Sequence, residues 1–361
     1  MSISIKPKIA IVGGGPAGLT AAVILHRGGH RVCVYEGELS TAHRAQGGTL
    51  DLHEDKGQIA LKRAGLLDAF RAIARHEDQD ERDVDSISGR AIAGTSRPDE
   101  HLDRPEIDRG VLRNLLLDAL PADVVRWGSR LTHIDSGGAC QHELFFADGS
   151  RVKADLVIGA DGAWSRVRPS LSEIQPIYTG ITFFEGWIEA PTTQEAALVG
   201  RGSLFSFGGA EAIFAQRNGQ GRICIYAALK RPKDRLENET AHIAARELLQ
   251  TCYQNWAPNL RHLLHACGVF AERLIYTLPA DFGWMPRMGI TLIGDAAHLM
   301  PPVGLGVNLA MLDAADIATA LCGEPDWRNA IRLAEVQIND RARAVMPDAI
   351  EGFQQWFSSR S

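Results

Sequence analysis

The chain has 361 residues, 45% apolar and 23% charged, a length that suggests about two domains at roughly 150 residues each and a composition that excludes a disordered, collagen-like or coiled-coil chain. The 38 basic and 44 acidic residues give a net charge of −6, and no run of five basic residues occurs, so nucleic acid is not an expected partner. No apolar run approaches the roughly 18 residues of a membrane span, no signal-peptide pattern opens the chain, and the six cysteines form no C-x-x-C pair, which reads as a cytoplasmic protein with reduced thiols.

Along the chain, Lys8 to Val12 is an apolar strand that runs into Gly13-Gly14-Gly15-Pro16 and a helix from Ala17 to Arg27. Arg31 to Tyr35 is a second buried strand ending at Glu36, which completes a β-turn-α-β unit. Gln58 to Ala74 reads as helical with a break at Gly65, and the charged run His76 to Asp85 as a solvated loop or helix face. Asp108 to Leu120 is an amphipathic helix with Val111, Leu112, Leu115, Leu116 and Leu120 on one face. His142 to Ala154 is a hairpin turning at Asp148-Gly149, and the buried strand Leu156 to Gly159 leads into Asp161-Gly162. Ile181 to Leu229, rich in aromatics and strand formers, is a mostly antiparallel sheet in a second domain. Ala241 to Tyr253 is a helix, Gly289 to Ile293 a strand, Asn308 to Leu321 a helix, and Asn329 to Phe357 a long helix interrupted at Pro347.

Three motifs carry chemistry. Gly13-x-Gly15-x-x-Gly18 follows a strand and opens a helix. Gly13 allows the tight turn, Gly15 lets a pyrophosphate approach the backbone, Gly18 lets helix and sheet pack closely, and the helix N-terminus favours the anion. Glu36 stands where an acid accepts from a ribose diol. This unit predicts a bound dinucleotide without choosing between NAD and FAD; the alternative is an empty structural turn. The second motif, Gly294-Asp295-Ala296-Ala297-His298 followed by Pro301 and Pro302, puts an acid at a strand end before the helix from Asn308, whose backbone N–H groups could face a flavin. The third, Asp161-Gly162-x-x-Ser165-x-x-Arg168, is a tight turn with Ser165 capping a following helix. Each of the last two, alone, reads better as an ordinary capped turn than as a cofactor site.

Taken in order, the three motifs resemble the group A flavoprotein monooxygenases, the para-hydroxybenzoate hydroxylase family. Gly47 to His53 (GGTLDLH), Ala64 to Leu67, Pro105 to Arg109 with Leu112-Arg113, and Gly294 to Pro302 narrow the resemblance to the tetracycline-inactivating monooxygenases of the Tet(X) type. It implies an α/β fold: a Rossmann-like FAD-binding domain of the GR2 type, a β-sheet substrate domain and a C-terminal bridging helix. The division would be 1–72, 102–172 and 271–327 for FAD, 73–101 and 173–270 for substrate, and 328–361 for the helix.

By the same resemblance, Gly13, Gly15, Gly18, Glu36, Asp51, Arg109, Arg113, Asp161, Asp295, Gly306 and Val307 would hold the cofactor, and Arg44 would meet the nicotinamide. Glu185, Phe214 and Cys224 would line the substrate pocket. The implied function is NAD(P)H-dependent hydroxylation, through a flavin C4a-hydroperoxide, of a planar aromatic or polycyclic small molecule. NADPH or NADH and O₂ would be consumed, with no metal. The expected partner is the small molecule alone, with the chain a monomer and a dimer left open. Tetracycline-like substrates, and with them a role in antibiotic resistance, fall within the resemblance. The alternatives are an FAD-dependent reductase or dehydrogenase without oxygen insertion, and a flavin-binding sensor without turnover. Two departures stand out. The Pro302 to Asn308 loop is one residue short of the family's usual run, with Leu305 where glutamine is usual. Glu185, Ser203 and Cys224 stand where the tetracycline enzymes present glutamine, arginine and histidine.

Overall fold

The computed structural model describes residues 6–41, 47–93, 103–136, 141–233 and 241–358. Strand β1 (Ile9–Val12), helix α1 (Pro16–Arg27) and β2 (Val32–Tyr35) form the opening unit. There follow β3 (Thr49–Asp51), α2 (Gly57–Arg63), α3 (Leu67–Ile73), β4 (Asp80–Asp83), β5 (Glu106–Asp108), α4 (Arg109–Asp118) and β6 (Val125–Arg126). Next come β7 (Leu131–Ser136), β8 (His142–Phe146), β9 (Arg151–Ala154), β10 (Leu156–Gly159), β11 (Ile177–Ile188), α5 (Thr193–Val199), β12 (Gly202–Phe207), β13 (Glu211–Arg217) and β14 (Ile223–Lys230). The chain continues through α6 (Ala241–Cys252), α7 (Pro258–Ala266), β15 (Phe270–Thr277), β16 (Ile290–Leu292), α8 (Asp295–His298), α9 (Gly306–Gly323) and α10 (Trp327–Trp356). None of the described helices is long and apolar enough to cross a membrane.

Two sheets organise these elements. The first is a parallel sheet of order β16-β10-β1-β2-β6. All residues of β1 and β10 are buried, as β-branched runs covered by helices on both faces must be. The second is a six-stranded sheet of order β15-β11-β14-β13-β12-β4. Its strands alternate. One face sends Phe184, Ile213, Ile225 and Leu204 into a core shared with α6 and α7, and the other carries Phe183, Phe214 and Tyr226. Helix α10 joins the two layers. Trp327, Ile331 and Ile338 sit in the core of the parallel sheet, while Phe353 packs with Phe183 and Phe214 of the second sheet.

Several expectations change. The charged run 76–85 is a turn and loop only at its start, because Asp80–Asp83 forms β4, paired in parallel with β12 from Gly202↔Asp80 to Phe205↔Asp83. An edge strand needs only one neighbour, so its other polar groups stay in water and charge is tolerated there. Helix α4 buries Leu112, Arg113 and Leu116, but Val111 is 43% exposed, one step of the helical turn away from the core. Helix α10 runs through Pro347 without a break, with Met346 and Ala349 both buried to hold its line. Helix α9 begins at Gly306, two residues before the expected Asn308. The sequence boundary at 271 cuts into β15, which begins at Phe270 and pairs along β11 through Gly186↔Phe270 and Phe183↔Arg273.

Candidate functional site

The two sheets face each other across one cavity of about 880 Å³. On one side the glycine turn shapes it. Gly13 has φ +105°, and a Cβ there would lie 2.3 Å from the Ala160 carbonyl oxygen. At Gly18 a Cβ would lie 2.0 Å from the Gly13 carbonyl oxygen, so only a hydrogen lets α1 close on the turn. Gly15 differs: a Cβ there would meet nothing within 4 Å, although the residue lines the cavity. The open side of Gly15 thus faces ligand space at the N-terminus of α1, where free N–H groups favour a phosphate.

Glu36 lines the cavity at the end of β2. Its Oε2 accepts the Gly14 N–H at 2.6 Å and its Oε1 the Glu38 N–H at 2.8 Å. Arg113 lies behind this turn, not on the cavity wall. Its Nε donates to the Gly14 carbonyl at 3.1 Å, its guanidinium pairs with Glu38 at 2.7 Å, and it sits 5.2 Å from the Trp127 ring centroid. It therefore braces the glycine turn. The sequence assigned it to direct contact because the pattern cannot tell a wall residue from its support.

Asp161 and Asp295 both line the cavity at the ends of β10 and β16. Burial pushes both carboxyls up from their ordinary range; Ser165 and backbone N–H groups oppose this at Asp161, and His298, Arg109 and Arg168 oppose it at Asp295. Ser165 does not cap an α-helix as expected: a short 3₁₀ turn follows at Arg168–Ser170 with Val167 as its N-cap residue, and the Ser165 hydroxyl, two residues before that position, accepts from the N–H groups of Val167 and Arg168. The Arg168 side chain is 2% exposed and donates to the carbonyls of Ala296 (2.8 Å), Ala163 (3.0 Å) and Asp295 (3.1 Å). It ties the Asp161 turn to the Asp295 turn without reaching the cavity. Below them His298 bonds Asp313, which also accepts from the Gly294 N–H and from Arg341 at 2.8 Å. Burial alone would lower the His298 pKa, but the Asp313 carboxylate outweighs it and raises it.

The third wall is the turn before α9. Pro301, Pro302, Gly304, Gly306 and Val307 line the cavity, so the helix N-terminus points into it. Leu305, in the place usual for glutamine, packs on the apolar core. Asn308 is fully buried and clasps this turn to the 51–57 segment. Its Oδ1 accepts the His53 and Gly57 N–H groups, and its Nδ2 donates to the Asp51 carbonyl at 2.9 Å. Asp51 itself lines the cavity, with His53 Nε2 2.8 Å from its carboxylate, and Arg109 lines it from the start of α4. Arg44 lies outside the described residues.

The six-stranded sheet closes the cavity. Phe183, Phe205, Phe214 and Trp356 present rings around Phe214, whose centroid lies 5.5 Å from those of Phe183 and Trp356 and 5.9 Å from that of Phe205. Between them stand Glu185, Gln216, Tyr226 and Arg273. Glu185 accepts from Trp187 Nε1 and from Arg273 Nε, each at 3.2 Å. Glu185 and Phe214 line this cavity, and Cys224 does not. Gly48 lies over this part of the sheet, where its Cβ would be 3.7 Å from the Cys224 Cβ, and burial pushes the thiol pKa far up. Phe183, Phe205 and Tyr226 fall in the aromatic-rich stretch from Ile181 to Leu229 that the sequence marks as a sheet, while Gln216, Arg273 and Trp356 were missed. The alternation of β11 to β14 marks their shared faces, but nothing local says which face meets the cofactor side.

A parallel sheet with a glycine turn, two buried acids and a helix N-terminus at one cavity has the make-up of a dinucleotide site, and the ring-lined sheet closes the cavity opposite. The donor set fits FAD: open space beside Gly15 and Gly306 for a ligand to fill, an acid at the end of β2, and backbone N–H groups where a flavin ring would carry negative charge. The sequence profile of the family described as "FAD binding domain" matches residues 6–329. Monooxygenase asqM from Emericella nidulans is 30% identical, over 96% of this chain and 89% of its own length. A variant of HpxO from Klebsiella pneumoniae, solved with FAD, is 25% identical with a TM-score of 0.80, covering 96% of this chain and 89% of that one. The tetracycline destructase Tet(51) shares the fold at 20% identity, with a TM-score of 0.75 over 99% of this chain and 93% of its own. The chain belongs to the FAD-binding family of group A flavin monooxygenases. It is an FAD-dependent monooxygenase.

Proposed function

We propose that this enzyme hydroxylates a planar aromatic or polycyclic small molecule, tetracycline-like frameworks included, held between the flavin ring and the six-stranded sheet. The balanced reaction is substrate–H + O₂ + NAD(P)H + H⁺ giving substrate–OH + H₂O + NAD(P)⁺. FAD, when bound, supplies the redox chemistry, accepting the hydride and activating oxygen.

This chain's residues do the rest. Gly13, Gly15 and Gly18 make room for the pyrophosphate, with Glu36 toward the ribose and Arg113 and Arg168 bracing the turns. The N–H groups of Gly306 and Val307, at the start of α9, would stabilise negative charge on a flavin held there. Phe183, Phe205, Phe214 and Trp356 exclude water and set a flat slot for substrate. Glu185 is neutralised by Arg273, so the slot suits a substrate with a neutral face and a hydrogen-bonding edge toward Gln216 and Tyr226. The reductant would enter where Asp161 borders the cavity; by the family resemblance Arg44, outside the described residues, is the residue proposed to meet it. We place the enzyme in the cytoplasm, as a monomer, because NAD(P)H is supplied there and the apolar stripe of α10 is used within the chain.

One observation carries this reading: the glycine cradle and the ring-lined wall open on the same cavity. The test is a screen of planar aromatics and tetracyclines for stimulated NAD(P)H oxidation, followed by mass spectrometry of products formed under heavy-isotope O₂. One heavy oxygen atom in the product is the expected result. Reductant consumption that never places O₂-derived oxygen in any product would overturn it in favour of a reductase.

A further inference from the structure

On the face of the six-stranded sheet that turns away from the flavin cavity, α6 and α7 lie side by side over a second cavity of about 350 Å³. Its composition follows from helical spacing. Arg246, Leu249 and Gln250 stand at i, i+3 and i+4 on α6 with Tyr253 one residue past its end, and Arg261, Leu264 and His265 at i, i+3 and i+4 on α7, so each helix contributes one stripe to the same cavity. Phe270, at the start of β15, closes one end.

The charge in this cavity is one-sided. Two arginines and a histidine line it, and no aspartate or glutamate does among the described residues. Arg246 is partly used, donating to the carbonyls of Cys267 (2.7 Å) and Gly268 (2.8 Å) at the end of α7. Arg261 is not. Its Nε is sealed from solvent with no acceptor, and its guanidinium has no hydrogen-bond or ion-pair partner among the described residues. A partly buried guanidinium without an acceptor, lining one cavity with a second, raises the energy of the fold unless an anion joins them. Below the cations the floor is apolar, made by Leu249, Tyr253 and Phe270, and the Tyr253 hydroxyl is already spent on the carbonyls of Ala212 and Ala228.

We propose that this cleft binds a small organic acid, with its carboxylate held by Arg261 and the neighbouring cations and its aryl or alkyl body on the apolar floor. A forked guanidinium matches a carboxylate through two parallel hydrogen bonds, and a bare inorganic anion would leave the floor uncovered. The site is separate from the flavin chamber, so its occupancy does not depend on the identity of the hydroxylated substrate. It does touch the chamber's scaffold: Tyr253 holds the backbone of β13 and β14, the strands that carry Phe214 and Tyr226.

The experiment is isothermal titration of the FAD-loaded enzyme with benzoate and octanoate, and with benzyl alcohol as the neutral counterpart. Wild-type protein should bind at least one acid, and Arg261→Gln should weaken that binding about tenfold or more, the scale of one lost charge-assisted bond. Arg261→Lys should fall between the two, and basal NAD(P)H oxidation should stay unchanged in both variants. If Arg261→Gln does not fold by thermal melting, Arg261→Lys decides, since it keeps the charge and loses the fork. Three outcomes overturn the proposal: no binding of either acid, binding equally strong in the folded variants (which locates the acid in the flavin chamber), or benzyl alcohol binding as well as benzoate.

Discussion

The two walls of the main cavity are made in different ways. The cofactor side is made of backbone: turns at Gly13, Asp161, Asp295 and Gly306 present N–H groups and open space, and the side chains that matter most, Arg113, Arg168 and Asn308, sit behind holding those turns in place. The sheet side is made of side chains, with rings and a few polar groups brought together by strand register. A backbone wall recognises what all substrates of such an enzyme share, the cofactor. A side-chain wall can change residue by residue without moving the fold. Under the proposed function, substrate choice would belong to the sheet and cofactor choice to the turns.

Substitutions on each side should fail in different ways. The largest effect is expected from Gly13→Ala, which combines a strained φ with a Cβ 2.3 Å from the Ala160 carbonyl oxygen. It should cost at least about 3 kcal/mol and yield protein without flavin; the checks are thermal melting and the flavin absorbance of the purified protein. Phe214→Ala should cost about 3–5 kcal/mol by opening a hole among four rings. Here flavin content should survive while the ratio of product to NAD(P)H consumed falls. If this variant loses flavin instead, the two walls are not separable.

Gly15→Ala sharpens the contrast, because its Cβ would meet no protein atom within 4 Å. Apoprotein stability should stay within about 0.5 kcal/mol, while FAD affinity drops about tenfold or more, measured by flavin fluorescence titration. A stability loss as large as that of Gly13→Ala would show that the residue serves the fold and not the ligand.

An effect on pH dependence, with the walls themselves untouched, is expected at the seam between them. There Glu106 stands opposite Asp51 across β3 and β5, bonded by the Thr49 hydroxyl. Burial first, and the Asp51 charge second, push its pKa from 4.5 to about 8, against the pull of Arg75. The folded state therefore keeps a proton that the unfolded chain releases above pH 4.5, and this group's share of stability falls as pH rises from 4.5 to 8. Glu106→Gln should flatten that part of the stability profile in denaturant titrations across this range. An unchanged slope would place the carboxylate in an ordinary ionised state.

The legible part of the protein was the part whose physics is local. A strand that runs into Gly13-x-Gly15-x-x-Gly18 has to turn, open a helix and leave space, because each glycine answers a constraint within a few residues of it. Asp161, Asp295 and Asp51 were legible for the same reason, each at the end of a strand. Arg113 was expected beside Arg109 on the helix from Asp108, and its bonds instead reach the Gly14 carbonyl and Glu38, since helical spacing fixes direction but not depth. Cys224 was placed on the right strand face but lies beneath Gly48, a segment far away in sequence. The charged run at Asp80–Asp83 became an edge strand because β12 offered it a partner, and no local signal announces a partner.

The amino-acid sequence by itself thus determined the cofactor class and the turns that receive it, because those turns depend on φ angles and missing side chains that neighbouring residues dictate. Only the tertiary structure decided which rings meet over the cofactor side, how Asn308 clasps a segment some 250 residues earlier, and that Arg246 and Arg261 line one cleft. Those outcomes depend on strand register and helix packing, which are settled by the burial of the whole chain.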